Sequence, residues 1–334
     1  MNLCDIVILN YNTKNLLEEL VPKVIANSKM EGVQVVIADN GSTDGSIAFV
    51  QEHYPNLKCI QIPKNQGFAG GYNFALKQSD AKYLILLNSD VEPHPGWLEP
   101  LMAHMESNDN TAVVQPKIKD YYRREYFEYA GASGGFIDKY GFPFCRGRIF
   151  GNIEKDEGQY DEPCKIFWAS GAAFCIRASV WKEAKGLDEL FFAHMEEIDL
   201  CWRILNLGYD IYAIPSSTIY HMGGATLSTH NPRKSFLNFR NGLYMLYKNL
   251  PLASRSKTIF YRKMLDGLAG CLFLVTGKAK HVWQIIKAHR TFDKTKKELS
   301  LSNNDWPQSG VVKTSVAKQY FLNGNKVFSK LKKS

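Results

Sequence analysis

Two aspartates stand directly behind apolar runs, where a strand can hold a charged side chain at its end. Asp39 closes residues 33–39 (VQVVIAD), and Asp90 follows residues 82–88 (KYLILLN). In an open parallel sheet the ligand crevice lies outside the carboxyl ends of the strands, so both positions are candidates for binding. Asp39 can accept a hydrogen bond from a base N–H or a ribose hydroxyl, although Asp39-Asn40-Gly41 also suffices as a plain turn. Asp90 is placed to ligate a hard divalent cation that in turn holds a diphosphate; the alternative is a strand-ending turn. Between them, Asn65 to Asn73 (NQGFAGGYN) carries Gly67, Gly70 and Gly71, which would let a backbone approach phosphate or sugar at a helix start. The spacing is not G-x-G-x-x-G, which counts against a nicotinamide site. Glu196, Glu197 and Asp199 open a helical stretch and favour its positive end.

These residues need a scaffold, and the first 118 residues supply alternating strand and helix signals. Strands are expected at 5–10, 33–39, 57–62, 82–88 and 112–115. Helices are expected at 14–27, after Gly41 with Ser42 as N-cap, from Gln66 to about Ser79, and at 95–107. Residues 119–165, rich in Gly, Tyr, Phe and Arg, read as an irregular region at a site mouth. Beyond them come a strand at 166–176, a helix at 196–207, a strand at 209–214 and a helix at 232–249. One or two basic amphipathic helices follow at 254–297, then a polar break at 300–310. The expected class is α/β, a mostly parallel sheet flanked by helices. Residues 1–250 are expected to form the main domain in two halves, 1–118 and 119–250, and 251–334 a basic helical extension.

With 334 residues, 45% hydrophobic and 22% charged, the chain has the composition of a globular protein rather than a disordered, collagen-like or disulfide-knotted one. Its seven cysteines are scattered without a C-x-x-C pair, so reduced thiols are expected. The apolar stretch 267–277 is about half of what a membrane span needs, and no signal peptide precedes the first strand, so a cytoplasmic location is expected. The net charge of +8 is unevenly placed: residues 251–334 hold 17 Lys and Arg against 4 Asp and Glu, and residues 1–250 hold 24 against 29. Such a tail suits an anionic membrane surface, with helix packing or a homodimer as alternatives. Nucleic acid is not the expected partner.

Seven blocks in order, VILNYN, ADNGSTDGS, KNQGFAGGYN, LLNSDVEP, ASGAAFCIR, GLDELFFAHMEEIDLCWR and YHMGG, resemble the GT-A-fold glycosyltransferases of family 2, in particular their rhamnosyltransferase-like branch. The resemblance spans residues 3–249. It implies an inverting transfer of a sugar from a nucleotide diphosphate to a hydroxyl of a glycan or lipid-linked acceptor, in the synthesis of bacterial surface polysaccharide. It implies that Asp39 reads the base, that the backbone around Asn10 and Tyr11 lines the nucleotide, and that Asp90 binds Mg²⁺ or Mn²⁺ as the last Asp of a D-x-D motif. Asn88 stands where the first Asp often does. His221 matches a His that completes the metal site, Glu197 beside Glu196 matches the base where an Asp is usual, and 168–171, ending in Gly171, shape the donor-sugar pocket. Lipid-linked acceptors would place the chain peripherally on the cytoplasmic membrane face. Two other classes remain open at this point: a sugar-nucleotide nucleotidyltransferase, whose triphosphate loop would occupy NYNTKN, and a catalytically silent scaffold that keeps the fold.

Overall fold

The computed structural model describes residues 2–223, 231–301 and 305–331; Gly224 of the YHMGG block and part of the polar break lie outside the described residues. β1 (Cys4–Asn10), α1 (Lys14–Asn27), β2 (Val33–Asp39), α2 (Ser46–His53), β3 (Lys58–Gln61), α3 (Gly67–Leu76) and β4 (Tyr83–Asn88) alternate along the chain. β1 pairs in parallel with β2 and β4, and β2 with β3. These strands are apolar nearly throughout because both faces are covered: Val7, Leu84 and Leu86 pack into one core, and Ile6, Ile8, Tyr83, Ile85 and Leu87 into the other.

β5 (Val91–Pro93), α4 (Leu98–Ser107) and β6 (Thr111–Asp120) come next. A small second sheet is then formed by β7 (Gly135–Asp138), β8 (Pro143–Cys145), β9 (Arg148–Ile149) and β10 (Asn152–Ile153). The chain returns to the main sheet through β11 (Cys164–Lys165), β12 (Ala173–Arg177), α5 (Ala178–Glu183), α6 (Glu196–Asn206) and β13 (Asp210–His221). The main order is β11-β13-β6-β12-β4-β1-β2-β3, with β5 on β13. β1, β2, β3, β4, β6 and β13 share one direction, whereas β12, β11 and β5 run against it.

Four expectations need correcting. The region 119–165 is not irregular throughout: between its turns it carries the short strands β7 to β10 of the small sheet. The strand expected at 166–176 is two pieces, because 166–172 leaves the ladder to pack Phe167, Trp168 and Ala169 into the core. The strand expected at 209–214 runs on to His221 past a bulge at residues 215–217. Ser42 caps no helix: α2 starts at Ser46 behind Gly45, and Ser42 Oγ instead lies 2.9 Å from the Asn12 amide.

α7 (Pro232–Asn249), α8 (Leu252–Val275) and α9 (Ala279–Thr295) complete the helical layer, followed by β14 (Val311–Val312) and α10 (Val316–Phe321). The basic tail is stitched into the rest. Phe292 and Leu299 join the main core, β14 extends the small sheet in parallel with β7, and Val316 and Leu331 pack on Phe144 and Ile149. The division drawn at residue 118 falls inside β6. All seven cysteines are free.

α8 docks through charge. Its buried positions are Arg255, Thr258, Arg262, Asp266 and Gly270. Arg262 Nε donates to Asp266 Oδ1 (2.9 Å), its Nη1 donates to the Gly141 carbonyl (2.9 Å), and His289 Nε2 lies 3.0 Å from Asp266 Oδ2. Removing one member of such a buried pair strands the other, at a cost of about 3 kcal/mol. Asp266→Ala therefore lowers the urea unfolding midpoint by that equivalent, whereas the exposed Asp293→Ala leaves it within about 0.5 kcal/mol.

Candidate active site

The carboxyl ends of β1 and β2 carry Asn10 and Asp39, which are register partners. Asn10 Nδ2 donates to Asp39 Oδ1 (2.8 Å), and the Ser42 amide donates to Asp39 Oδ2 (2.9 Å). Both side chains are buried while the neighbouring Tyr11 is exposed. An ionised carboxylate has about four acceptor positions, so Asp39 keeps capacity for a further donor.

The glycine-rich stretch is engaged with other parts of the chain. The first amides of α3 are taken: Gly67 N–H donates to Asn65 Oδ1 (2.8 Å), and Phe68 and Ala69 donate to the Phe192 carbonyl (2.7 and 3.3 Å). They are therefore not presented to a phosphate. Gly67 has φ +74°, and a Cβ there would lie 2.4 Å from the Phe192 oxygen. A Cβ on Gly71 would meet Leu9 and Asn40, so this glycine packs α3 against β1. Asn73 ties α3 to the Leu187 backbone through both ends of its amide (2.8 and 3.0 Å). Gly67, Gly71 and Asn73, read from sequence as donor-binding, thus also pack and position α3.

Behind β4, Asn88 is half-buried and Asp90 is buried. His221, at the end of β13, pairs across the ladder with Val91 of β5, and this brings its Nε2 to 3.1 Å from Asp90 Oδ1. On the other side of the ring, Nδ1 lies 3.4 Å from Glu128 Oε1 without a hydrogen bond. Burial disfavours a charged imidazole, but the Asp90 and Glu128 carboxylates outweigh it and hold His221 well above its ordinary value. The 3.1 Å separation is close to the about 3 Å between adjacent ligands of an octahedral cation with bonds near 2.1 Å. Among the described residues no three His, Cys, Asp or Glu side chains gather as a closed metal cage. Asp90 and His221 offer two ligands, a set that leaves positions for phosphate oxygens and water.

The segment entering α6 is strained. Phe192, His194 and Met195 have φ of 65°, 71° and 72°, a region that side chains other than glycine rarely occupy. Asn241 of α7 holds it there, its Nδ2 lying 2.8–2.9 Å from the carbonyls of Phe191, Ala193 and His194. The neighbouring Arg240 donates to the carbonyls of Leu190 and Phe191. The turn delivers Glu196 and Glu197 to the first turn of α6. Burial, then the neighbouring Glu197 and Asp199 charges, raise Glu196 well above the usual carboxylate range. Burial also raises Glu197, against backbone N–H groups that favour its ionised form, to about 7. Each glutamate has one buried oxygen without a hydrogen-bond partner, as do His194 Nε2 and His221 Nδ1. Asp199 is different: it is paired with Arg203 and Lys248 and bonded by Asn249, a structural charge.

Glu128 links the two halves. Burial, and then the Glu128 and Glu197 charges among others, raise the Cys145 thiol; burial lowers Lys234 against the opposing Glu128 charge, and burial and then Lys234 lower His194. Glu128, Lys234, His194 and Asn241 are site residues that the sequence reading missed. Glu128 sits among aromatic residues in YFEYAG, with no apolar run before it to mark it. Gly171 lies at the same end, where a Cβ would come 3.0 Å from the Phe68 ring.

Residues 5–174 match the family described as Glycosyl transferase family 2. The chain belongs to glycosyltransferase family 2. Within the family, it is 26% identical over 204 residues to the N-acetylglucosaminyl-diphospho-decaprenol L-rhamnosyltransferase of Mycobacterium tuberculosis, covering 57% of this chain and 66% of that relative. It is 26% identical over 215 residues to the pre-mycofactocin glycosyltransferase of the same organism, covering 63% of this chain and 42% of the relative. It thus spans less than two-thirds of the length of either. Two solved glycosyltransferases share its GT-A fold. GalNAc-T7, solved with UDP, GalNAc and Mn²⁺, has a TM-score of 0.59 over 74% of this chain and 48% of its own, at 15% identity. The mannosyltransferase PcManGT of Pyrobaculum calidifontis, solved with GDP-Man and Mn²⁺, has a TM-score of 0.55 over 87% and 86%, at 14% identity.

The raised Glu197 carboxyl has a signature in stability. With the folded value above the ordinary 4.5, the folded state holds more protons between about pH 4.5 and 7, so the stabilising contribution is present at low pH and lost as pH rises through 7. Glu197→Gln, which cannot ionise, raises the thermal midpoint relative to the native chain at pH 8 and leaves it nearly unchanged at pH 4, as scanning calorimetry at both values will read.

Proposed function

We propose that this family member is an inverting, metal-dependent glycosyltransferase. Its donor is a nucleotide-diphosphate sugar, with rhamnose the favoured sugar, and its acceptor is a hydroxyl on a glycan or lipid-linked saccharide used to build surface polysaccharide. The observation that carries the reading is the Glu197 carboxyl: half-buried, one oxygen closed off from water and unpartnered, and poised near 7, where a carboxylate can both exist and take a proton.

Asn10 and Asp39 hold the nucleotide by its base or ribose. Asp90 and His221, the latter after giving up its proton, would hold the divalent cation, which when bound would supply electrostatic stabilisation of the charge developing on the leaving diphosphate. The Mn²⁺ of the two solved neighbours supports a divalent ion, Mg²⁺ or Mn²⁺. The ionised Glu197 accepts the proton of the acceptor hydroxyl as that oxygen bonds to the anomeric carbon. The anomeric C–O bond breaks on the opposite face, and the diphosphate departs with the bonding pair. Glu196, deeper and neutral, keeps a second negative charge from forming beside Glu197. Glutamate in place of the usual aspartate reaches one methylene further, which the strained turn at His194 and Met195 accommodates by setting where α6 begins.

With dTDP- or UDP-sugars, Mn²⁺ and a saccharide acceptor, free nucleotide diphosphate appears. Its rate rises with pH through about 7 and levels above it. Glu197→Gln lowers kcat by about 10²–10⁴ with donor affinity unchanged. Asp90→Asn weakens both Mn²⁺ and donor binding by roughly tenfold in calorimetric titration. Release of pyrophosphate from a nucleoside triphosphate, or unchanged turnover in Glu197→Gln, overturns the assignment.

A further inference from the structure

α8 is built inside out. Its inner face is polar, with Arg262 and Asp266 paired against His289 beneath the helix. Its outer face repeats Phe260, Met264, Leu268 and Leu272 at four-residue intervals, and these are 61%, 59%, 65% and 53% exposed; Val275, at the helix end, is 86% exposed. A helix on a water-facing surface has the reverse pattern. An unbroken apolar stripe of this kind marks an interaction face rather than scattered surface residues. No helix among the described residues is long and apolar enough to cross a membrane, and the charges under α8 are engaged with the protein. The helix therefore presents its stripe sideways.

The surroundings of the stripe identify its partner. Exposed Lys257 stands one turn before it, exposed Lys278 and Lys280 follow directly after it, and the exposed Trp283 lies in the first turns of α9. Apolar and aromatic side chains bracketed by lysines match the layering of a bilayer surface, with acyl boundary under the stripe and acidic headgroups beside the amines. A second copy of the chain fits less well. A two-fold interface on this face would bring the same lysines against themselves, in a tail holding 17 Lys and Arg against 4 Asp and Glu.

We propose that the outer face of α8 seats the protein in the interface of an anionic lipid leaflet, with Phe260, Met264, Leu268 and Leu272 inserted and Lys257, Lys278 and Lys280 on the headgroups. The seat gives the proposed transferase its lipid-linked acceptor, and to that extent it rests on the functional reading, but its physical case stands on α8 alone.

Cys271 lies exposed on this face and is the only exposed cysteine among the described residues, so it accepts an environment-sensitive fluorophore without mutation. The labelled full chain is mixed with vesicles of phosphatidylcholine alone or with about a quarter phosphatidylglycerol. Fluorescence is expected to brighten and shift to the blue with the anionic vesicles only. Unlabelled chain is expected to sediment with them and to be released by high salt. Combined Met264→Gln, Leu268→Gln and Leu272→Gln is expected to weaken sedimentation by at least about tenfold. These positions point away from the core, and donor turnover on a water-soluble acceptor checks that the variant is folded. No sedimentation of the native chain with anionic vesicles, equal binding to neutral ones, or equal binding by the variant overturns the proposal. So does a native dimer in light scattering that the same substitutions dissociate, which would make a second copy the partner. Turnover on the soluble acceptor needs no vesicles, so loss of the membrane seat and loss of the transferase reading are told apart.

Discussion

The carbonyl of Phe192 is where the two halves of the site are fastened together. It accepts the first free amides of α3, the helix that packs on β1, while Asn241 grips the carbonyls on either side of it. Three residues with left-handed backbone angles crowd into this stretch, and each is unfavourable alone. What they obtain together is a sharp turn that starts α6 with two glutamates facing inward. Without that turn, Glu196 and Glu197 would be ordinary surface carboxylates at a helix start. Held by it, they are desolvated, and desolvation lifts them out of the usual carboxylate range.

The opposite wall uses like materials for the opposite end. His221 is as deeply placed as Glu196, yet carboxylates on both sides favour its charged form. Glu196 and His221, both buried, are thus pushed toward forms that differ by a full charge, and the difference comes from which neighbours each has. Glu128 stands between the walls and touches the electrostatics of both.

The scaffold was legible where burial on both faces left continuous apolar runs: β1, β2 and β4 and the polar residues behind them follow from periodicity and position. Asp39 and Asp90 belong to that class. The small sheet was not legible, because strands of two to four residues whose pairing depends on a segment from residues 311–312 have no local pattern to read. The packing contacts of Gly67, Gly71 and Asn73 were not legible for a related reason. A glycine-rich helix start looks the same whether a phosphate or another part of the chain occupies its amides, and here the occupant lies about 120 residues away in Phe192. Arg240 and Asn241 lie in a helix expected from sequence, but only the folded arrangement shows the carbonyls they serve.

The path of β13 places a constraint on how this chain can vary. Between Ile214 and Thr218 the strand slips against β6, with residues 215–217 left out of the ladder and Ser217 anchored to the Trp97 carbonyl. Side chains alternate beyond the slip, so the number of residues in it decides which side of the sheet the last imidazole occupies. Loss or gain of one residue there would turn His221 away from Asp90 while leaving every ligating residue type intact. The length of 215–217, together with the Ser217 anchor, is therefore what keeps the imidazole on the side of Asp90.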